Sequence, residues 1–553
     1  MTGLSPAQIY VPIRDALLSS QGNASDVMRR WMSAITMAVQ FQPFVPLTQF
    51  GSAGNGGDDT AVFQAALNQL VQQGGGVLWI PGGLFQVGLV TIPSGAIPIM
   101  ILGQGEATVL QRNQAIPAGH GMLDIYGSNV MLSSFAIEGT VSTAIPLLYN
   151  RDFIGTGGND PMAQSLTQNS SIWVHGPLSK FMMQSVSVRH TGGYSVLVDA
   201  GSGGISDVVI QNCHFGDNRP HTFGLAAGSA VYGSWTGCVY FNSDGRSTNP
   251  GCVCKRVQAT QNAFLRNTGN CLWMHSYGID ELCESFQFFQ NTFLDSGLDG
   301  ILMGCIIGGA VSGNVFRRNG YVCQDDTSPG VPRWLPNLNA TGLDSAGLVL
   351  NVPYCNNTFT SMNGGCLDLD SHGSGCISGN VCTTPSAGEP AYEEDQIATS
   401  GISGTGATSY GVNLNNSSNT PSGAANVSIV GNSFINLSAG AARLFSARRC
   451  LFEGNIIVSP ENSVYAPVGL GPVGPGPNQR CFDNRVTNNK IDYNPSASAP
   501  AIFEDDTYGT FSVSEKNYVF GNCPITPSGT KAIEFQKSPN SSSPVYLQTP
   551  WFT

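Results

Sequence analysis

The sequence predicts an all-β protein built as a β-solenoid, in which short strands form stacked coils. Two observations lead to this prediction. Only 11% of the 553 residues are charged while 68 are glycine, a composition that favours strands and turns over helical bundles. In addition, short strand-like segments carry an asparagine at one repeated position, and copies of this asparagine recur at a fixed spacing.

The repeated asparagine is followed by any residue and then by Phe, Ile or Cys. It occurs at Asn291, Asn314, Asn357, Asn380, Asn432 and Asn455. Three successive pairs, 291 to 314, 357 to 380 and 432 to 455, are each 23 residues apart. A period of about 20 to 30 residues with short strands is typical of a β-solenoid, because each coil buries its inward side chains only by stacking on the next.

Asparagine suits a turn between strands because it tolerates left-handed backbone geometry, and its amide can hydrogen-bond to the copies above and below. We therefore expect a ladder of asparagines along the solenoid. The longer intervals, 314 to 357 and 380 to 432, are predicted to be coils with inserted loops, where specificity commonly lies.

The repeat also predicts which residues share a face. Residues 291–316 align with 357–382 at an offset of 66, which places "GILMG" at 300–304 in line with "CLDLD" at 366–370. We expect "CLWMH" at 271–275 and "GLVLN" at 347–351 to join the same sheet. Because side chains alternate along a strand, the predicted outward face carries Trp273, His275, Leu302, Val349, Asn351, Asp368 and Asp370.

This face has the composition of a sugar-binding groove, since an indole, an imidazole, an amide and two carboxylates lie together. Trp273, His275 and Asn351 are the predicted substrate-binding residues. The apolar Leu302 and Val349 indicate that a loop or a neighbouring chain covers part of the face.

Charge and hydropathy restrict the partners. A net charge of −12 and a pI near 4.9 argue against a nucleic-acid partner, because phosphate binding needs clustered Lys and Arg. No apolar run approaches the roughly 18 residues that cross a membrane, so no membrane insertion is expected. The fifteen cysteines lack zinc-site spacing and lie beside apolar or Gly residues, which predicts buried free thiols in a protein folded in a reducing cytoplasm.

The segment "GNGGDDTAVFQAALNQLVQQGGGVLWIPGGLFQVG", residues 54–88, resembles the entry segment of the pectate-lyase superfamily of right-handed β-helices, as found in bacteriophage tailspike depolymerases. In that pattern a Gly-rich turn and an Asp pair precede a helix that caps the open end of the solenoid. Here Asp59 or Thr60 is predicted to cap a helix near 58–73. Its apolar stripe is predicted to consist of Val62, Phe63, Ala66, Leu67 and Leu70.

The resemblance covers residues 50 to about 140, and the coils extend it in kind to about 495. It implies a homotrimer of right-handed β-helices in a virion tail, assembled in the host cytoplasm, that binds or cleaves a bacterial capsular or O-antigen polysaccharide. A secreted protein is the alternative location. The predicted domains are a partly helical N-terminal attachment segment (1–45), the solenoid (46–495) and a strand-rich C-terminal element (496–553).

Two groups of aspartates are candidate catalytic residues. Glycoside hydrolysis uses two carboxyl groups about 5 to 9.5 Å apart, and residues i and i+2 on one strand are about 6.7 Å apart. Asp368 and Asp370 therefore qualify, and the alternative interpretation is a calcium site or a solvated face. No other cofactor or metal is expected.

The second group is Asp295 and Asp299 in "LDSGLDGI". The coil alignment places Asp295 between Arg266 and Arg318, which fits either a structural ion ladder or a substrate-binding site. If the glycan contains uronic acids, Arg266, Arg317 or Arg318 could act as the base of a β-elimination. Three functions thus stay open: a glycoside hydrolase, favoured here, a glycan-binding adhesin, and a uronate lyase. A further fragment, "AGHG" at His120, is interpreted as a chance match because companion Asp motifs are missing.

Overall fold

The fold class predicted from the repeat and the resemblance, an all-β parallel β-helix, is confirmed. The structure, a computed structural model, describes residues 43–548 apart from 53, 114–115, 118, 140–169, 202, 219–236, 244–252, 268, 277–281, 320, 326–331, 337–340, 363, 384–409, 417–418, 422, 438, 460–465, 473–475, 477, 494–499, 506–513, 516, 526–532 and 537–546. Within these residues nearly every strand pairs in parallel with its counterpart in the next coil. The predicted attachment segment, 1–45, lies almost entirely outside the described residues.

The strands form two long sheets and two small ones. A fourteen-stranded sheet contains Val90–Gly95, Leu123–Gly127, Ile172–His175, Val196–Asp199, Gly237–Asn242, Asn270–His275, Ile301–Gly304, Leu343–Ser345, Leu367–Asp370, Val412–Asn415, Ala442–Phe445, Val468–Gly471, Ile502–Asp505 and Ile533–Gln536. The two small sheets are an antiparallel pair, Tyr321–Asp325 with Pro332–Pro336, and a parallel pair, Cys481–Phe482 with Ser514–Glu515.

The second long sheet has thirty-one strands and forms the remaining sides of the coils. It contains Phe44–Pro46, Asn55–Asp58, Gly76–Trp79, Gly83–Val87, Ile99–Arg112, Val130–Glu138, Leu178–Gln184, Ser187–Arg189, Ile205–Gln211, His214–Gly216, Cys254–Thr260, Ala263–Leu265, Cys283–Phe289, Thr292–Leu294, Ile306–Ser312, Val315–Arg317, Val349–Leu350, Pro353–Cys355, Thr358–Thr360, His372–Gly373, Cys376–Ser378, Val381–Thr383, Ser428–Val430, Ser433–Ile435, Leu451–Glu453, Ile456–Val458, Arg485–Thr487, Lys490–Asp492, Tyr518–Phe520, Cys523–Ile525 and Leu547–Gln548.

The asparagine ladder is present. Asn357 shows the pattern: its backbone N–H and its side-chain Nδ2 both donate to Oδ1 of Asn380, at 2.9 and 3.0 Å. Its own Oδ1 accepts the equivalent bonds from Asn314. The same contacts link Asn262, Asn291, Asn314, Asn357, Asn380, Asn432, Asn455, Asn489 and Asn522 in order. The ladder therefore extends beyond the six asparagines of the sequence pattern.

Stacked aromatic rings fill the core beside this ladder. Phe264, Phe293, Phe316 and Phe359 occupy the same position in successive coils, and neighbouring ring centroids are 4.6 to 5.0 Å apart. Each ring is essentially inaccessible to solvent. Parallel, offset rings of this kind add to the free energy gained from burying their apolar surface.

The predicted capping helix runs from Thr60 to Gln72. Phe63, Ala66, Leu67 and Leu70 are buried as predicted, and Val62 is partly buried against the core. The capping residue differs from the prediction, because the Asp59 side chain makes no cap bond. Instead Oδ1 of Asp58 accepts from the N–H and the hydroxyl of Thr60, at 3.0 and 2.6 Å.

The offset of 66 is also confirmed, since Ile301 pairs with Leu343 and Leu343 with Leu367. The prediction that residues 347–351 form the strand between these two was wrong. Strand Leu343–Ser345 joins the fourteen-stranded sheet, whereas Val349–Leu350 pairs with Ile306–Ile307 in the other sheet. The strand therefore begins four residues before the predicted segment 347–351.

Further expectations concern thiols, membrane spans and domain boundaries. The thirteen cysteines whose side chains the structure describes are free, and ten of them are buried, as predicted. No helix in the described part of the chain is long and apolar enough to span a membrane. Strands Ile502–Asp505 and Tyr518–Phe520 pair in parallel with the preceding coil, so both long sheets continue past residue 495. The division into three domains stays a prediction.

Replacement of Asn357 by Ala should lower the free energy of unfolding by about 3 kcal/mol, because buried donors of Asn314 lose their acceptor. The measurement is the midpoint of urea unfolding. The control is Asn356→Gly: Asn356 is exposed and has φ of 55°, a conformation that Gly adopts without strain, so that variant should differ from the parent by no more than about 0.5 kcal/mol. Equal midpoints for both variants would contradict a stabilising role for the ladder.

Candidate functional site

Four aspartates converge on the outward face of the fourteen-stranded sheet. Asp344 and Asp368 are direct neighbours on adjacent parallel strands, which places their Cα atoms about 4.8 Å apart. Asp370 lies two residues beyond Asp368 on the same strand, while Leu367 and Leu369 point into the core. Asp299 precedes the strand Ile301–Gly304 and is 8% exposed.

Asp368 is the most heavily hydrogen-bonded member of the group. The hydroxyl of Tyr410 donates to its Oδ2 at 2.5 Å. The amides of Asn413 and Asn415 donate to its Oδ1, at 3.0 and 3.2 Å. The Arg443 guanidinium lies over the Tyr410 ring, 4.8 Å from the centroid. Three neutral donors and a nearby cation therefore face this carboxyl group.

The aspartates influence each other's protonation. Burial raises the pKa of Asp344 well above its ordinary value, and the charges of Asp299, Asp368 and Asp370 raise it further. Burial and the charge of Asp368 raise the pKa of Asp299 to about 7, although hydrogen bonds from Thr341 oppose the shift. Burial also raises the pKa of Asp368, but the bonds from Tyr410 and Asn413 counteract it. Asp344 is thus the member that most strongly retains a proton, a consequence of burial next to like charges.

Asp299 is positioned by the loop before the Asp344 strand. Its Oδ1 accepts from the backbone N–H and the hydroxyl of Thr341, at 2.5 and 3.1 Å. Its own N–H donates to Oδ1 of Asn270 at 3.1 Å. These contacts hold the carboxyl group near Asp344 and Asp368, whose electrostatic interaction with Asp299 is evident in their raised pKa values. The catalytic role of Asp299 stays a prediction.

The geometry of Asp295 favours the structural interpretation. Its two oxygens accept from Nε and Nη2 of Arg318, at 2.6 and 3.1 Å. Arg266 makes the same two-bond contact with Asp217 rather than being left for a substrate. All four residues have positive φ at equivalent turns. Asp295, Arg266 and Arg318 therefore belong to a ladder of ion pairs along a turn, and their predicted roles in catalysis and substrate binding gain no support.

The predicted substrate-binding residues lie at different places. Trp273 and His275 are on the outward face, but Trp273 is 3% exposed and stacks on Tyr240 at 3.8 Å, so its ring offers no open face for a sugar. Val349 was predicted to face outward and is fully buried in the core. Asn351 is exposed at a left-handed turn of the other sheet. Both corrections follow from the misplaced coil at 347–351.

An apolar cluster occupies the face on the N-terminal side of Asp344. It comprises Trp173, Tyr194, Leu197, Tyr240, Trp273 and Leu302. Its members are at most 9% exposed, which agrees with the expectation that part of this face is covered. The aspartates therefore lie at the border between a covered apolar region and a polar one.

His120 lies at the far end of the same sheet. Its Nδ1 contacts Oδ2 of the buried Asp124, and Nε2 of His175 is 3.3 Å from Oδ1 of that aspartate. The His175 ring is stacked between Tyr126 and Trp173, with centroid distances of 4.1 and 4.4 Å. This group lies seven strands from Asp368 and is separate from the aspartate cluster.

Five site residues were not found from the sequence: Asp344, Tyr410, Asn413, Asn415 and Arg443. A signal for Arg443 exists: Ile301 and Leu367 each precede the next ladder asparagine by 13 residues, and counting back 13 from Asn455 reaches Ala442, the neighbour of Arg443. The same count from Asn357 reaches Asp344 instead of the core residue Leu343, so it locates that strand only to within one residue. Tyr410, Asn413 and Asn415 follow a long insertion, and no comparable spacing marks their strand.

The structure shows no preformed metal centre: in the described part of the chain, no three His, Cys, Asp or Glu side chains are arranged to hold a metal ion. The calcium site considered for Asp368 and Asp370 stays a prediction.

No family model matches the chain, and no curated protein sequence is detectably similar to it. Solved structures with a similar course include the adhesin PfbA of Streptococcus pneumoniae (12% identity, TM-score 0.47, 90% of this chain and 100% of that one). The mannuronan C-5 epimerase A-module of Azotobacter vinelandii has 11% identity and a TM-score of 0.42, and the match covers 92% of this chain and 100% of that one. The α-1,3-glucanase catalytic unit of Streptomyces thermodiastaticus has 14% identity and a TM-score of 0.43, and the match covers 92% of this chain and 70% of that one. At these values the likeness does not identify what this chain binds or catalyses.

The raised pKa of Asp299 makes stability depend on pH. The folded protein keeps this proton up to about pH 7, whereas the unfolded chain loses it near pH 3.8. The folded state therefore binds more protons between these values, and its stability falls as pH rises through this window. Each pKa unit corresponds to about 1.4 kcal/mol, so the loss is at most about 4 kcal/mol.

Asp299→Asn removes this charge and keeps an oxygen that accepts from Thr341. The variant should unfold at the same temperature as the parent at pH 5 and at a higher temperature at pH 8, as measured by circular dichroism during heating. A difference between the two proteins that is the same at both pH values would contradict a raised pKa at this position.

Proposed function

We propose that the chain is a polysaccharide depolymerase that cleaves glycosidic bonds by hydrolysis over the aspartate cluster. The observation that carries this proposal is the pairing of Asp344 and Asp368 in register. Burial raises the pKa of both carboxyl groups, but like charges add to the shift at Asp344, whereas hydrogen bonds from Tyr410 and Asn413 oppose it at Asp368. Hydrolysis of a glycosidic bond uses such a pair, one carboxyl group protonated and the other ionised.

Asp344 is the proposed general acid. Burial raises its pKa, and the charges of the neighbouring aspartates raise it further, so it keeps a proton that it can donate to the leaving oxygen. Asp368 is the proposed carboxylate, because donors on both of its oxygens favour the ionised form. Asp370, whose Oδ1 accepts from the Ser371 hydroxyl at 3.1 Å, can act as the second carboxylate in place of Asp368.

The strand geometry allows two stereochemical outcomes. Adjacent strands separate Asp344 from Asp368 by about 4.8 Å at Cα, near the spacing of a retaining pair. The diagonal from Asp344 to Asp370 spans about 8 Å, within the range of an inverting pair with room for a water molecule. The role of Asp370 therefore determines which outcome applies.

The two other functions make different demands on this face. A uronate lyase needs a base and a cation that neutralises the substrate carboxylate. Arg266 and Arg318 are engaged in ion pairs at a turn, which disfavours their use as that base. A glycan-binding adhesin needs no proton-holding acid, so the coupled aspartates favour an enzyme over a binding module.

The biological setting is part of the proposal. The entry segment at 54–88 resembles that of bacteriophage tailspikes, and the helix Thr60–Gln72 with its buried apolar face matches the capping pattern. We propose a homotrimeric tail protein of a virion whose target is a capsular or O-antigen polysaccharide, or else a secreted protein acting on the same class of glycan.

Asp344→Asn and Asp368→Asn should each lower the rate of cleavage by about 10²-fold or more, because a positioned acid or base contributes at least this factor. The measurement is release of reducing ends from a polysaccharide substrate. Asp492→Asn is the matched control, since Asp492 is exposed in the other long sheet. Full activity of the Asp344 variant would remove that residue from the mechanism.

Product analysis separates the three functions. The purified protein is incubated with capsular and O-antigen polysaccharides from a panel of bacterial strains. New reducing ends without ultraviolet absorbance indicate hydrolysis, and absorbance of a new double bond indicates elimination. A bound but unchanged polymer would support the adhesin.

Tyr410→Phe tests how Asp368 is kept ionised. Loss of the hydroxyl removes a hydrogen bond that lowers the pKa of Asp368, so the acidic limb of the pH profile of kcat/KM should move to higher pH. Activity above this limb should fall much less than in Asp368→Asn. An unshifted limb accompanied by a uniform loss of activity would show that Tyr410 acts only by packing.

A further inference from the structure

The outward face of the fourteen-stranded sheet is strongly acidic. Between residues 90 and 471, its described strands direct five carboxyl groups outward: Asp124, Asp199, Asp344, Asp368 and Asp370. Over the same strands Arg443 is the one Lys or Arg on this face. Asp299 adds a sixth carboxyl group at the edge of the cluster.

Arg443, the cation on this face, interacts with other groups of the protein. Its guanidinium lies over the ring of Tyr410, and Nε of Arg443 donates to the carbonyl oxygen of Ala439 at 3.4 Å. Arg443 also acts electrostatically on Asp368. The guanidinium thus balances a protein carboxylate and is poorly placed to balance a charge on a ligand.

We infer that the sugar units bound over Asp344, Asp368 and Asp370 are uncharged, so that the polysaccharide carries no uronic acid at the cleaved position. This inference rests on the proposed function, because it concerns the substrate of the same site. A uronate there would place its carboxylate within a few ångströms of several aspartates, where partial burial leaves the repulsion poorly screened.

Hydroxyl-rich neutral sugars fit the same surroundings. Carboxylates accept hydrogen bonds from sugar hydroxyls, while amides such as Asn413 and Asn415 offer both donors and acceptors. Both amides lie on the strand next to Asp368 and Asp370. The polar half of the face thus matches a neutral hexose or N-acetylhexosamine rather than an acidic sugar.

The test uses matched pairs of polymers: polygalacturonate, alginate and uronate-containing capsular polysaccharides, each in native form and after chemical reduction of its carboxyl groups. Neutral O-antigen polysaccharides complete the panel. Binding is measured with Asp344→Asn and cleavage with the native protein. We expect every bound or cleaved polymer to be neutral, and any reduced polymer that binds to do so at least about tenfold more tightly than its acidic parent.

A charge variant isolates the cause. Asp370→Asn removes one negative charge from the face and should raise the affinity for acidic relative to reduced polymer by about fivefold at low salt. Asp492→Asn removes the same charge from the other sheet and should leave this ratio unchanged. Equal ratios in the two variants would overturn the electrostatic argument.

The outcomes separate this inference from the proposed function. Release of reducing ends from a native uronate polymer, at a rate equal to or above that of its reduced form, overturns the inference and leaves hydrolysis standing. Binding of neutral polymers without cleavage overturns hydrolysis and supports the inference. Failure to bind or cleave any polymer in the panel counts against both.

Discussion

The hydrogen bonds between successive asparagines are the interaction on which the rest of the structure depends. Each ladder asparagine ties its backbone N–H and its amide to the next coil, in a buried position where an unmade bond is costly. The ladder therefore fixes the register of the coils from Asn262 to Asn522 against their neighbours. Once that register is set, Ile301 and Leu367, each ten residues after a ladder asparagine, stack in one column with Leu343.

This register assembles the site from coils that are distant in sequence. Asp299, Asp344 and Asp368 belong to successive coils, and the insertions between them differ in length. They meet because each precedes or occupies the same strand position of the fourteen-stranded sheet. The electrostatic coupling of these aspartates is thus a direct product of coil stacking, and the stability of the coils offsets the unfavourable crowding of like charges.

The fold was predictable because its signals are local and repeated. Spacing between asparagines predicts the ladder, and alternation in "CLDLD" predicts which way Leu367 and Asp368 point. Asp344 and Tyr410 escaped prediction for a different reason: each follows an insertion, so its strand no longer begins about ten residues after the preceding ladder asparagine. The burial of Trp273 was only hinted at by Leu302, because covering of a face depends on segments that the repeat does not describe.

The alternation of Leu367, Asp368, Leu369 and Asp370 has a consequence for how this protein can change over evolutionary time. The number of residues between Asn357 and Leu367 determines which side chains of the strand point into the core. Deletion of one residue there would turn both aspartates into the apolar core and both leucines outward. Insertions are tolerated where the chain leaves the coil, as before Leu343. Changes in length can thus accumulate in those loops, whereas the strands that carry the aspartates admit only substitutions.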